Sequence, residues 1–154
     1  MRQKLDNIPN YGILIDKEGN WFYNGAEMFR KEILELFYAH LTRDDAGRYI
    51  IRINNDSSLI EVEDCAFVVK AFYLDKIDGL DSSYVLLSDG SQEEFVPESL
   101  KFSEDNVPYC KVKNGTFDAR FSRSAYYQLA AAIAYDEDKQ CYYLRVNDRI
   151  IHIK

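Results

Sequence analysis

The sequence predicts an α+β protein built from a duplicated strand–helix–hairpin unit, arranged as two small lobes over residues 1–63 and 64–154. Three observations predict it. Two stretches carry apolar residues at helical spacing, and each is followed by two short strand-like runs. An Asn-Gly turn stands ahead of each helical stretch. The string Tyr49-x-x-Arg52-x-Asn54 returns as Tyr142-x-x-Arg145-x-Asn147.

The elements follow in order. Tyr11–Tyr23 reads as a hairpin, with Ile13 and Ile15 alternating along it, Glu18-Gly19 turning and Trp21-Phe22-Tyr23 returning. Asn24-Gly25 is a second tight turn. A helix is expected over Glu27–Leu41, because Ile33, Leu34, Phe37, Tyr38 and Leu41 fall on one face while Glu27, Lys31 and Glu35 fall on the other. Asp44-Asp45-Ala46-Gly47 ends it. Tyr49–Ile53 and Ser58–Val62 form a hairpin about Asn54–Ser57. Ala66–Leu74 is apolar, β-branched and aromatic, a mostly buried strand. Asp75–Ser82, which contains Gly79, is expected to be a polar loop. Tyr84–Leu87 and Glu94–Val96 pair about Asp89-Gly90, and Pro97–Pro108 is a polar connection.

The last third repeats the theme. Tyr109–Lys113, the turn Asn114-Gly115 and Thr116–Phe121 form a hairpin. A helix over Arg123–Tyr135 begins after Ser122, a suitable N-cap. Its apolar face comprises Tyr126, Leu129, Ala130, Ile133 and Ala134. Cys141–Val146 and Arg149–Ile153 close the chain about Asn147-Asp148. Leu34, Phe37 and Leu41 of the first helix align with Tyr126, Leu129 and Ile133 of the second. Insertions between the copies fall in turns, where length changes are tolerated. The competing explanation is convergence, since any amphipathic helix followed by a hairpin looks similar. The seam between two duplicated units is a common ligand site.

Composition narrows the function. The chain has 154 residues, enough to bury roughly two thirds of its unfolded surface without a disulfide or metal. Its net charge of −7 argues against bulk duplex nucleic acid or an anionic membrane as partner, since both demand clustered cations. A local basic pocket for one phosphate is compatible with that charge. The three cysteines, Cys65, Cys110 and Cys141, have no metal or disulfide spacing and sit among apolar residues, as suits the reducing cytoplasm. Twelve tyrosines favour β-rich, half-buried surfaces.

Several strings resemble the bacterial DUF1285 family, a domain of unknown function. They are Trp21-Phe22-Tyr23-Asn24-Gly25 with its helix, and Ile60-Glu61-Val62-Glu63-Asp64-Cys65-Ala66-Phe67-Val68. Further on stand Pro108-Tyr109, Asn114-Gly115, and Ala119-Arg120 followed by Arg123 and Tyr126-Tyr127. The resemblance runs nearly end to end, although Arg149–Ile153 departs from the family's Gly-aromatic ending. It implies a duplicated fold whose C-terminal lobe is a pleckstrin-homology-like curved antiparallel sheet with one helix. It also implies a nucleotide-like or nucleic-acid-derived ligand between the lobes and a role in signalling. It brings no enzymatic activity.

Candidate sites follow from residue chemistry. Arg120 and Arg123 flank the start of the second helix, where N–H groups already favour an anion, and Tyr126 and Tyr127 follow one turn later as stacking surfaces. The alternative is a solvated basic turn with core tyrosines. Arg52 and Arg145 hold equivalent places in the repeat and suit an anion clamp, or a structural ion pair. Glu63 and Asp64, with Glu61, form an acidic cluster that would contact ribose hydroxyls or a cation, or else solvate a strand end. Neither His40 nor His152 neighbours a nucleophile motif, and the seven glycines are scattered in turns, with no phosphate loop. The expected function is therefore a non-enzymatic binding module for a small anionic ligand, with no cofactor. A protein–protein adaptor and a small metal-dependent hydrolase are the alternatives.

Overall fold

The computed structural model describes residues 7–77, 80–146 and 149–153. The protein is mixed α and β, with far more of the described residues in strands than in helices, and it divides into two compact units at Cys65–Ala66.

Among the described residues the first unit is a six-stranded sheet carrying one helix. β1 (Asn10–Ile15) and β2 (Trp21–Tyr23) form the expected hairpin, with Ile15 opposite Trp21. Asn24 and Gly25 both have positive φ, 48° and 86°. That is the turn geometry whose twist matches the flanking strands, and it returns the chain as β3 (Ala26–Glu27). Helix α1 (Lys31–Ala39) follows, then β4 (Leu41–Arg43), β5 (Tyr49–Ile53) and β6 (Asp56–Val62).

The first helix is shorter at both ends than its periodicity predicts. Ala26 and Glu27 are taken by main-chain pairing to β2, so the helix starts at Lys31. His40 leaves helical geometry with φ −110° and ψ 9°, and Leu41 enters the ladder opposite Ile51. A side chain at helical spacing can be buried just as well from a strand, and Leu41 is.

The strand order is β3-β2-β1-β6-β5-β4. β1 and β6 are parallel neighbours, with Ile13 opposite Ile60 and Ile15 opposite Val62. Gly12 stands at the register shift between Asn10 and Ile13, with φ +84°. A Cβ there would run into the Asn24 side-chain oxygen, and L side chains rarely adopt this positive φ, so glycine suits the position. Ile13, Ile15, Trp21, Tyr38, Leu41, Ile50, Ile51 and Ile60 form the core of this unit.

The second unit contains two sheets and one helix. β7 (Phe67–Ile77), β8 (Leu80–Leu87) and β9 (Gln92–Glu94) lead through a short 3-10 helix (Pro97–Ser99) to β10 (Lys101–Phe102) and β11 (Pro108–Val112). β12 (Phe117–Phe121), α2 (Arg123–Ala132), β13 (Ile133–Asp136), β14 (Cys141–Val146) and β15 (Arg149–Ile153) complete it. The strand orders are β10-β11-β12-β7-β8-β9 and β13-β14-β15.

Four expectations change here. Asp75–Ser82 is not a loop: Asp75 pairs with Ser82, and the ladder runs on to Ile77 opposite Leu80. Ladder bonds are made by the main chain, so polar side chains need not end a strand. Gly79 and the turn Asn147-Asp148 lie outside the described residues. The second helix ends at Ala132 rather than Tyr135, because Ile133–Asp136 pairs with β14. Pro97–Pro108 holds the 3-10 helix and β10. Finally, β12 and β7 are parallel. The long excursion through β8–β11 supplies the connection that a parallel pair requires, where the family resemblance implies a curved antiparallel sheet.

The stretches after the two helices share one register. Leu41 faces Ile51 and Arg43 faces Tyr49; Ile133 faces Leu144 and Tyr135 faces Tyr142. Tyr49 then faces Ile60, as Tyr142 faces Ile153. The two Tyr-x-x-Arg strings thus occupy matching rungs. The closure of the sheet differs: β1 bonds to β6, whereas β10 and β15 belong to separate sheets.

A candidate ligand-binding hollow in the second unit

The site is built on α2. Ser122 caps the helix, its hydroxyl accepting from the Ala125 N–H at 3.2 Å. Ala125 and Leu129 are fully buried on the face that packs against β7. Gln128 fixes the helix further: its side-chain oxygen accepts from the Phe72 N–H at 2.9 Å, near the register shift in β7. Beneath lies an aromatic cluster of Phe72, Phe95 and Phe121, with centroids 5.3–6.4 Å apart.

The neighbouring stripe of the same helix is only partly covered. Tyr126 and Ala130, with Ile133 at the start of β13, face a hollow of about 350 Å³. Phe102 of β10, Tyr142 of β14 and Ile153 of β15 complete its apolar wall, and Asn106 adds a polar edge. The Phe102 and Tyr126 rings stand 6.4 Å apart and steeply inclined, an edge-to-face arrangement. Asn106 is held in a tight turn at φ 62°, its N–H donating to the Ser103 carbonyl.

The structure places the predicted residues unequally. Tyr126 lines the hollow. Tyr127 stacks on Tyr126 at 6.3 Å and is 66% exposed. Arg123 is the first helical residue, one turn ahead of Tyr126; it is exposed and makes no ion pair with a described residue. Arg120, the residue before the end of β12, lies opposite Tyr109 and is already engaged within the protein. Arg145 is exposed on the sheet face opposite Leu144 and Val146, whereas Tyr142 shares their face. Arg52 is exposed near the end of β5 in the first unit.

The acidic cluster is split between tasks. The Glu63 carboxylate accepts from the Lys17 N–H at 3.2 Å and its own N–H donates to the Ile15 carbonyl, so it braces the β1–β2 turn. Asp64 has its own interaction within the protein. Among the described residues no three His, Cys, Asp or Glu gather as metal ligands, and no helix is long and apolar enough to cross a membrane. Cys65 and Cys110 are buried and no disulfide joins the cysteines.

Phe102, Asn106, Ala130, Ile133, Tyr142 and Ile153 were not singled out by residue chemistry. Ala130 and Ile133 read as core because their spacing fits a buried face. No local signal separates the two cases, because distant strands decide whether that face is covered.

No family model and no curated protein matches this sequence. Two solved structures share its fold. A DUF1285 family protein from Silicibacter pomeroyi DSS-3 is 18% identical with a TM-score of 0.75, over 95% of this chain and 82% of that one. A DUF1285 family protein from Shewanella baltica OS155 is also 18% identical, with a TM-score of 0.63 over 78% of this chain and 91% of that one. The resemblance to DUF1285 proteins carried by the residue strings is therefore also a resemblance of fold, along nearly the whole chain.

Proposed function

We propose that this protein is a non-enzymatic cytoplasmic binding module that holds a small anionic, ring-bearing ligand of nucleotide type in the hollow beside α2. The supporting observation is the partly covered stripe Tyr126–Ala130–Ile133 with aromatic side chains around it. In this reading the ring rests against Tyr126 and Phe102, while the Arg123 guanidinium at the helix start takes the anionic group. Tyr127 and Arg120 stand beside these two; Arg145, Arg52, Glu63 and Asp64 have supporting roles at most. The duplicated two-lobed plan, the pleckstrin-homology-like second lobe and a signalling role are carried in the same proposal on the family resemblance.

Thermal-shift measurements with nucleotides and inorganic polyanions test it. Stabilisation of the wild type, with loss of that shift in an Arg120→Ala/Arg123→Ala variant, is the expected result. No shift with any of these compounds, or an equal shift in the variant, refutes it. Tyr127, Tyr135, Tyr142 and Ile150 are exposed in the second unit, and this favours a protein–protein adaptor as the second reading. That reading predicts that Tyr135→Ser/Ile150→Ser, at two exposed residues outside the hollow, abolishes capture of a protein partner while leaving any nucleotide shift intact.

A further inference from the structure

A second opening in the same unit shares no residue with the hollow beside α2. It lies where two strand edges of the larger sheet are left open. β9 ends that sheet and pairs with β8 alone. Glu93 stands opposite Val85, and the Phe95 N–H donates to the Ser83 carbonyl. Alternation then turns the main-chain N–H and C=O of Glu94 away from β8. Near the other end of the sheet, β11 meets β10 only at Pro108 and Tyr109. Further along β11, side chains stand in for a neighbouring strand: Ser99 Oγ accepts from the Lys111 N–H at 3.0 Å, and the Glu93 carboxylate accepts from the Lys113 N–H at 3.1 Å.

A groove of about 630 Å³ takes its walls from both edges. Glu93 and Glu94 of β9, Glu98 of the 3-10 helix and Lys111 of β11 line it, and the exposed Val96 adds an apolar spot. Its charge is acidic. The one lysine is held by Asp118 at 2.8 Å, and Glu98 shares its charge with Arg149. Glu94 is exposed and makes no ion pair with a described residue. We propose that this groove binds an extended basic segment of a partner protein, which adds a strand to the open edge of β9 and sets its cationic side chains against Glu93, Glu94 and Glu98. Main-chain bonds to an edge supply affinity, and the charges select the sequence. This surface is independent of the reading of the hollow.

Fluorescence anisotropy of the full chain with a labelled hexapeptide of alternating arginine and threonine tests the proposal. The comparison probes are a glutamate–threonine counterpart, the arginine peptide with its backbone nitrogens methylated, and spermine as competitor. The arginine peptide is expected to bind at least about tenfold tighter than the glutamate peptide, and less tightly as salt is added. Glu94→Lys, at an exposed position, should weaken it by about tenfold. Backbone methylation should weaken it by a similar factor, because it removes the strand's donors. Equal binding of the arginine and glutamate peptides, no binding of either, or binding unchanged in Glu94→Lys overturns the proposal. Full binding of the methylated peptide, or displacement by spermine at the peptide's own concentration, also overturns it, since the groove would then attract any cation without adding a strand.

Discussion

Residues 31–62 and 123–153 run through the same order of helix and three strands, yet they cover the helix in different ways. In the first unit Tyr38 and Phe37 both stand against the Trp21 ring, and the parallel β1–β6 bonds set Ile13 opposite Ile60. In the second, Ala125 and Leu129 carry the burial, Tyr126 and Ile133 beside them are only half-buried, and the strands flanking them lie in separate sheets. The difference teaches how little separates a core from a binding site. Protein interiors are close-packed, so strands that do not meet beside a helix leave a recess that a ligand can fill.

The helix starts differ in the same sense. Arg30, ahead of α1, gives no side-chain cap, whereas Ser122 caps α2. Helices of nine or ten residues are marginal alone. The better-covered helix draws its stability from packing, and the barer one has a local hydrogen bond. The Asn-Gly turns differ too. Asn24-Gly25 is a bare two-residue turn, while Lys113, at φ 55° beside Asn114-Gly115, reaches Asp89 Oδ2 at 2.8 Å and Ser91 Oγ at 2.9 Å.

The largest expected effect comes from opening the first unit beside its helix. Tyr38→Ala should cost about 3 kcal/mol in urea denaturation, because it strips the ring from the Trp21 contact and leaves a cavity. A loss below about 1 kcal/mol would mean that the closed sheet, rather than the ring, holds the first helix.

Asp89→Asn comes next, at about 1–2 kcal/mol near neutral pH. Burial pushes the Asp89 carboxyl up, but hydrogen bonds from Lys113 and Ser91 outweigh it and hold the carboxyl below its usual value of 3.8. A carboxyl lowered on folding stabilises above its unfolded titration and loses that contribution as pH falls through the folded value. The gap between wild type and variant should therefore narrow as pH drops below 3.8. A gap independent of pH would break the assignment of charge to this turn.

Ser122→Ala should cost about 1 kcal/mol through loss of the cap, measured by thermal unfolding, while Arg30→Ala, at the uncapped start of α1, should cost less. Ala130→Leu has the smallest expected effect, a gain of up to about 1 kcal/mol from filling part of the hollow. A loss of that size would show that the hollow has no room for the added atoms.

The order of elements was legible in the residues because it depends on local chemistry. Asn24-Gly25 specifies its turn, alternation specifies β1 and β6, and Ser122 specifies the start of α2. Boundaries were less legible where periodicity and pairing compete: Leu41 and Ile133 fit a helix face and are strand residues. The sequence by itself determined the two helix-and-hairpin stretches and their matching Tyr-x-x-Arg strings, since propensity, turn residues and spacing act over a few residues. Only the tertiary structure decided that β1 closes on β6 while β10 and β15 stay apart, and that Tyr126–Ala130–Ile133 faces a hollow rather than a core. Helical spacing says that three side chains share a face, and only the distant strands packed around that face decide whether it is covered.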